Sequence, residues 1–319
     1  MFIGSCAGSF YALNKTTGQL QWSYDIRKDS KQQSFHGDPL IANDLILIGT
    51  DYSCAPDGIG HVYAFESDSG KVRWKYRAIS VPTDIVQLNS SVYFGSFQDK
   101  WSSVDLHTGE LNWSFSTGAA NPDCNMPRSP VTDGNRLFIA GLDGVIYALD
   151  ASSGRVSWKR KLPAVPSTAL ALRDNAIYLG TSDQHIYRLK TETGAVISEL
   201  STEAKPVGRL ALADDSLFVF LENPAERVGY IISVDFKLAS VRWKQRSFPA
   251  WASERPHLWK EFVVAGNCRG GMAAFRAMDG ALQWNISLKG CIRSIGNSGD
   301  MLFVGVQEGT IYAYQSSPK

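Results

Sequence analysis

A tryptophan recurs along this chain at one fixed place in a unit of about 40–50 residues. Trp22, Trp74, Trp113, Trp158, Trp243 and Trp284 occupy the slot, and Ser198 stands in it in the fifth unit. The steps between slots are 52, 39, 45, 40, 45 and 41 residues. A period of this length constrains the fold strongly. Each unit is one supersecondary element that cannot bury its own faces and must stack on its neighbours.

The clearest copy is RLFIAGLDGVIYALDASSGRVSWKRK, from Arg136 to Lys161. It recurs from Phe2, Ser91, Ala176 and Phe262, with insertions from Leu45 and Ser216, and in shortened form from Met301. The runs RLFIAG and VIYALD are apolar, of strand length and without helical spacing, and they read as the second and third strands of a unit. The intervening LDG predicts a tight turn. A Thr/Ser/Asp-Gly turn follows at Gly18, Gly70, Gly109, Gly154, Gly194 and Gly280. The fourth strand then carries the tryptophan. A polar loop leads on to a first strand such as SPVTDG.

These units predict an all-β, eight-bladed β-propeller of four-stranded antiparallel blades, in a single domain over residues 1–319. Unit one begins directly at its second strand, and unit eight ends just past its third, at Tyr314. The first and last blades are therefore expected to be incomplete, with about 30 strands in place of 32. These abrupt ends favour a natural start upstream of Met1. Each slot tryptophan is expected to wedge between neighbouring sheets, its indole N–H needing a backbone acceptor. The six are read as structural docking residues.

The pattern (Ile/Val)-Tyr-Ala-Leu-Asp, a turn glycine and then Trp resembles the repeat of the PQQ-like, quinoprotein-type β-propellers over essentially the whole chain. The best matches are Tyr11-Ala12-Leu13-Asn14 with Gly18 and Trp22, and Tyr147-Ala148-Leu149-Asp150 with Gly154 and Trp158. The resemblance implies one of two branches. One is non-enzymatic, of the BamB outer-membrane assembly type. The other contains the PQQ-dependent alcohol and glucose dehydrogenases, and implies an adjacent Cys-Cys pair, Glu/Asn/Asp calcium ligands and a catalytic Asp. This sequence has no Cys-Cys pair, no D-x-[DN]-x-[DN]-G calcium loop, no C-x-x-C-H or C-x-x-C, and no G-x-S-x-G elbow. Gly266–Gly271 lies in a strand-to-strand turn and opens no helix, so it is no phosphate loop. The reading leans away from an enzyme, with no catalytic residue, metal or cofactor expected. A PQQ-dependent quinoprotein-type cofactor binder is the alternative.

Lys+Arg total 32 and Asp+Glu 31, a net charge of +1, which provides no global field for nucleic acid or an anionic membrane. No apolar run approaches the roughly 18 residues that would cross a bilayer. The N-terminus lacks a signal-peptide pattern. The compartment stays open; the resemblance implies an extracytoplasmic, periplasmic place.

In an antiparallel four-stranded blade the second-to-third and fourth-to-first loops share one side. The long insertions, 27–37, 51–60, 118–127, 222–229 and 246–255, all fall there. Loops on one side of a rigid scaffold are the usual place for recognition. His36 and Asp38, Asp84, Arg128, Arg209, Arg255 and Arg293 stand at or near the starts of first strands, expected to face a central channel. Arginine suits bidentate contacts with carboxylate. The expected role is a non-catalytic scaffold that engages a protein partner or acidic ligand by its loop-rich face and channel mouth. A sensor or docking domain within a larger polypeptide is a third reading. Trp251, in the long loop before Trp259, is a candidate interface anchor, Trp259 is expected to pack between strands, and Trp101 sits at the start of a third strand. The five cysteines map near the loop-rich face. Free buried thiols are the default, with a Cys54–Cys124 bridge as the geometric alternative.

Overall fold

The structure is a computed structural model. It describes the chain except residues 6, 30–33, 52–57, 122–124, 224, 226–227, 248–255 and 316–319, and the side chains of His36 and Ser247. The fold is an all-β, eight-bladed propeller. Its described residues form 30 strands in eight antiparallel sheets, with one 3-10 turn at Ile26–Lys28. Six sheets have four strands. The first and last have three, and they lack the first and the fourth strand respectively, as the sequence predicts. Blades 1 to 8 span residues 2–25, 34–78, 86–116, 131–161, 171–201, 205–247, 257–287 and 292–315. The chain divides into two compact units, Met1–Leu162 with blades 1–4 and Pro163–Lys319 with blades 5–8. No helix among the described residues is long and apolar enough to cross a membrane.

Blade 4 shows why the sequence folds this way. Its strands are Val131–Thr132, Arg136–Ala140, Val145–Asp150 and Val156–Lys161. Leu137, Phe138 and Ile139 are consecutive and all fully buried. Adjacent residues of a strand point to opposite faces, so an unbroken apolar run means that both faces are covered. The fourth strand alternates and leaves Val156 exposed. The Asp150 carboxylate accepts from the backbone N–H groups of Ser152 and Ser153 (3.1 and 2.9 Å), which fixes the turn into that strand. Gly154 closes the turn at φ 70°. In all seven blades that have a fourth strand, the register slips by one residue just before the tryptophan slot. This bulge is built into the repeat.

Docking follows one geometry. Trp22 Nε1–H donates to the Ser67 carbonyl (3.0 Å), Trp74 to Leu106 (2.8 Å), Trp113 to Ala151 (2.9 Å) and Trp243 to Ala277 (2.8 Å). Every acceptor is the residue after the last third-strand residue of the next blade. The turn glycine of that blade is the seat. A Cβ on Gly109 would stand 2.6 Å from Trp74, and one on Gly154 would stand 2.6 Å from Trp113. The glycine is needed twice, for its left-handed φ and for the indole lying on it. Trp158 packs on Phe138 of its own blade at 5.9 Å, and half-buried Trp284 packs against the blade 7–8 core.

The fifth slot is built differently. Ser198 offers no indole. Tyr178 of the same blade still donates its hydroxyl to the Phe236 carbonyl (3.0 Å), the acceptor position of the other blades, as Tyr93 does to Ala151 (3.1 Å) beside Trp113. The Arg173 guanidinium lies over the Phe236 ring at 4.3 Å. The blade 6 turn carries its positive φ on Leu238 (58°), whose side chain is buried in the same apolar cluster as Tyr178. A leucine in the left-handed region is unfavourable, and its burial compensates.

Candidate functional site

The two sides of the blades differ, as the sequence predicts. First and second strands are joined by two or three residues, and third and fourth by five or six. On the opposite side the connections reach eight residues between Asp51 and Gly60 and 14 between Ser116 and Val131.

In the first unit the polar residues at or near the starts of the first strands are linked in sequence. The strand Ser34–Ala42 breaks its register between His36 and Leu40, with Gly37 at φ 75°. This bulge turns the Asp38 N–H onto Asp84 Oδ1 (2.9 Å), and the Asp84 N–H donates to Ser129 Oγ (3.1 Å). Asp38 is exposed, and Arg128 beside Ser129 is half-buried. The line therefore runs from the Asp38 backbone in blade 2 through Asp84 ahead of blade 3 to the Ser129 hydroxyl ahead of blade 4, with Arg128 adjacent to Ser129 in the chain.

In the second unit, half-buried Arg209 lies in a strand, Lys205–Leu212, that breaks register between Val207 and Ala211. Gly208 beside it accepts the Ala169 N–H (2.8 Å) from the preceding blade. Arg293 sits on the bulge of Ile292–Ser298 and is exposed. Its Nε and Nη2 both donate to Gln307 Oε1 (3.1 and 2.7 Å). Gln307 is neutral, so the guanidinium is oriented while its charge is left uncompensated by that partner. Arg255 and Trp251 lie outside the described residues, as does the His36 side chain.

On the loop-bearing side of blades 1 and 2, Asp29 pins the base of the 27–37 connection. Its Oδ2 accepts from Tyr24 (2.5 Å) and Tyr63 (2.9 Å), with Lys75 Nζ at 3.5 Å. Burial pushes the Asp29 carboxyl up, but the two phenols and the ammonium outweigh it and hold it below the usual aspartate range. Sequence reading passed over Asp29. The recurring tyrosine of the Tyr-Ala-Leu motif was the available signal.

The cysteines correct one expectation. Cys268 and Cys291, 23 residues apart, form a disulfide that ties the blade 7 turn to the start of blade 8. Free thiols are therefore wrong for this pair. The pairing depends on which blade edges adjoin, a relation that spacing along the chain does not reveal. Cys6, Cys54 and Cys124 lie outside the described residues, and with them the Cys54–Cys124 alternative. Trp259 is buried, as expected of strand packing, and Trp101 is buried too.

Among the described residues no three His, Cys, Asp or Glu side chains form a cluster able to hold a metal ion, and the sequence holds no adjacent cysteine pair.

Comparison with known proteins agrees with this architecture. The chain is similar to the dehydrogenase subunit of a quinone alcohol dehydrogenase from Gluconobacter oxydans, 27% identical over 44% of this chain and 20% of that protein. It is similar to the outer membrane protein assembly factor BamB of Yersinia pestis, 24% identical over 52% of this chain and 42% of that protein. The matches thus span less than half the length of either relative. The crystal structure of BamB from Moraxella catarrhalis superposes with a TM-score of 0.79 over 99% of this chain and 91% of that one, at 16% identity, which speaks to the fold. The family model described as outer membrane protein assembly factor BamB matches residues 1–197 and 98–317, so two overlapping matches account for nearly every blade. The chain belongs to that family.

Proposed function

We propose that this protein is a non-catalytic scaffold that binds a protein partner through the loop-bearing side of its blades, using arginines at or near the starts of first strands to receive acidic groups. The observation that carries this reading is the asymmetry of the connections. One side holds only short turns, and the other collects every long connection on a rigid strand framework. The uncompensated Arg293 and the Asp38–Asp84–Ser129 line beside Arg128 support a recognition surface with defined polar positions. The Cys268–Cys291 disulfide supports an oxidising, extracytoplasmic setting.

The relatives that use a quinone favour a second reading, a PQQ-dependent dehydrogenase. The sequence lacks the adjacent cysteine pair that the dehydrogenase resemblance implies, and no resident quinone or calcium is proposed. Addition of PQQ and calcium is expected to produce no bound chromophore and no dye-linked alcohol oxidation. Either signal would favour the second reading.

The first reading is tested by replacing Arg128 and Arg293 together with alanine. Partner recovery from the source cell, after chemical cross-linking and affinity purification, is expected to fall about tenfold or more, the loss usual for a charge-assisted contact. Unchanged recovery with an intact fold would overturn the arginine role.

A further inference from the structure

The repeat tyrosine marks a place where the blades differ: blades 2 and 4 carry Tyr63 and Tyr147, whereas blades 3, 6 and 7 carry Ser102, Ile232 and Ala273. Tyr63 of blade 2 meets Tyr24 of blade 1 with ring centroids 5.8 Å apart, and Tyr147 of blade 4 meets Phe115 of blade 3 at 5.3 Å. Tyr24 and Phe115 are each two residues past a docking tryptophan. Each tyrosine hydroxyl is held by a carboxylate on the loop-bearing side, Tyr63 by Asp29 (2.9 Å) and Tyr147 by Asp143 (2.5 Å).

Blade 3 breaks this pattern. Its register pairs Ser103 with Trp113 as blade 4 pairs Ala148 with Trp158, so Ser102 takes the slot of Tyr147. Opposite stands Tyr76, two residues past Trp74. Between them lies a cavity of about 280 Å³, lined by Tyr76, Phe94, Ser102, Gln98 and two cations, Arg77 and Lys100, among others. Its floor is aromatic, with Tyr76 and Phe94 meeting edge-on at 5.6 Å. Ser96 Oγ–H donates to the Lys100 carbonyl (3.2 Å). Lys100 is exposed at the mouth, on the same strand face as Ser102, and among the described residues it forms no ion pair.

We propose that this cavity binds an aromatic ring bearing a carboxylate. The ring takes the volume that blades 2 and 4 fill with the repeat tyrosine and packs on Tyr76 in the same offset or edge geometry. The carboxylate reaches the Lys100 ammonium, which is exposed beside the cavity. An aromatic floor with a few convergent polar groups is the ordinary make-up of a small-ligand site. The site is independent of the arginines and of the partner-binding reading. The ligand chemistry has two sources, a free aryl carboxylate or the terminal aromatic residue of a chain.

The full protein is titrated with benzoate and, separately, with acetyl-Gly-Gly-Phe, and binding is followed by ligand-observed saturation-transfer NMR. At least one is expected to bind saturably, and the tighter of the two identifies the source. Ser102→Tyr restores the repeat residue, so the fold should persist by circular dichroism while binding weakens at least tenfold; Ser102→Leu is a second filling variant. Lys100→Ala is expected to weaken carboxylate binding several-fold and to leave the neutral analogue benzyl alcohol unaffected. Binding of neither probe, or binding that survives both filling variants and Lys100→Ala unchanged, would overturn the proposal.

Discussion

Trp113→Ala is expected to lower the unfolding free energy by about 3–5 kcal/mol, the range for removing a large aromatic from a packed interior. Three effects act together. The indole is 9% exposed and lies against Tyr93 at 5.8 Å, so its removal opens a cavity that two rigid sheets cannot close. The Ala151 carbonyl loses its Nε1–H donor at 2.9 Å and keeps only the Tyr93 hydroxyl at 3.1 Å. Gly154, which serves as the seat, is left uncovered. Trp113→Phe separates the contributions, keeping most of the apolar volume and losing the hydrogen bond, with about 1–2 kcal/mol expected. Urea unfolding followed by near-ultraviolet circular dichroism measures both. A loss below about 1 kcal/mol for Trp113→Ala would mean that the slot tryptophans are not what holds adjacent blades together.

The second large effect is expected at the irregular slot, and it is a coupling. Leu238 is 3% exposed in the cluster that contains Tyr178. An indole at position 198 would compete with that side chain for the seat. Ser198→Trp alone is expected to destabilise by about 1–3 kcal/mol through overpacking. Leu238→Gly alone relieves the left-handed φ but removes a buried leucine, for a net loss of about 2–4 kcal/mol. Together the two changes supply an indole and remove the buried side chain of the facing turn, and the double variant is expected to recover at least about 1 kcal/mol relative to the sum of the singles. Strict additivity would contradict the proposed exchange of a tryptophan on glycine for a buried leucine.

Ser198 also shows where sequence reading stops. The eight strand pairs, the shortened first and last blades and the tryptophan docking are all legible, because each follows from spacing within one unit. That Arg173 and the buried Leu238 meet around the blade 6 turn where the indole is missing is a relation between two units at positions outside the motif. The same holds for Ser102, where a departure from the repeat tyrosine is visible in the chain but its consequence, a cavity against Tyr76, depends on the facing strand. The Cys268–Cys291 bridge likewise joins residues that only blade adjacency brings together. At the candidate site the sequence marks Asp38, Arg128, Arg209 and Arg293 by their place at or near the starts of first strands. It does not show the Gly37 bulge that turns Asp38 onto Asp84, or the neutral Gln307 that orients Arg293.

The central claim is that recognition belongs to one side of these blades. Site-specific photocross-linking in the source cell tests it most directly, with a photoreactive residue placed in turn at Thr117 and Lys289 on the loop-bearing side and at Thr17 and Thr193 in the short turns of the other side. The account predicts discrete cross-linked protein adducts from the first pair and none from the second. Adducts of equal yield from both sides, or from the short turns alone, would contradict it.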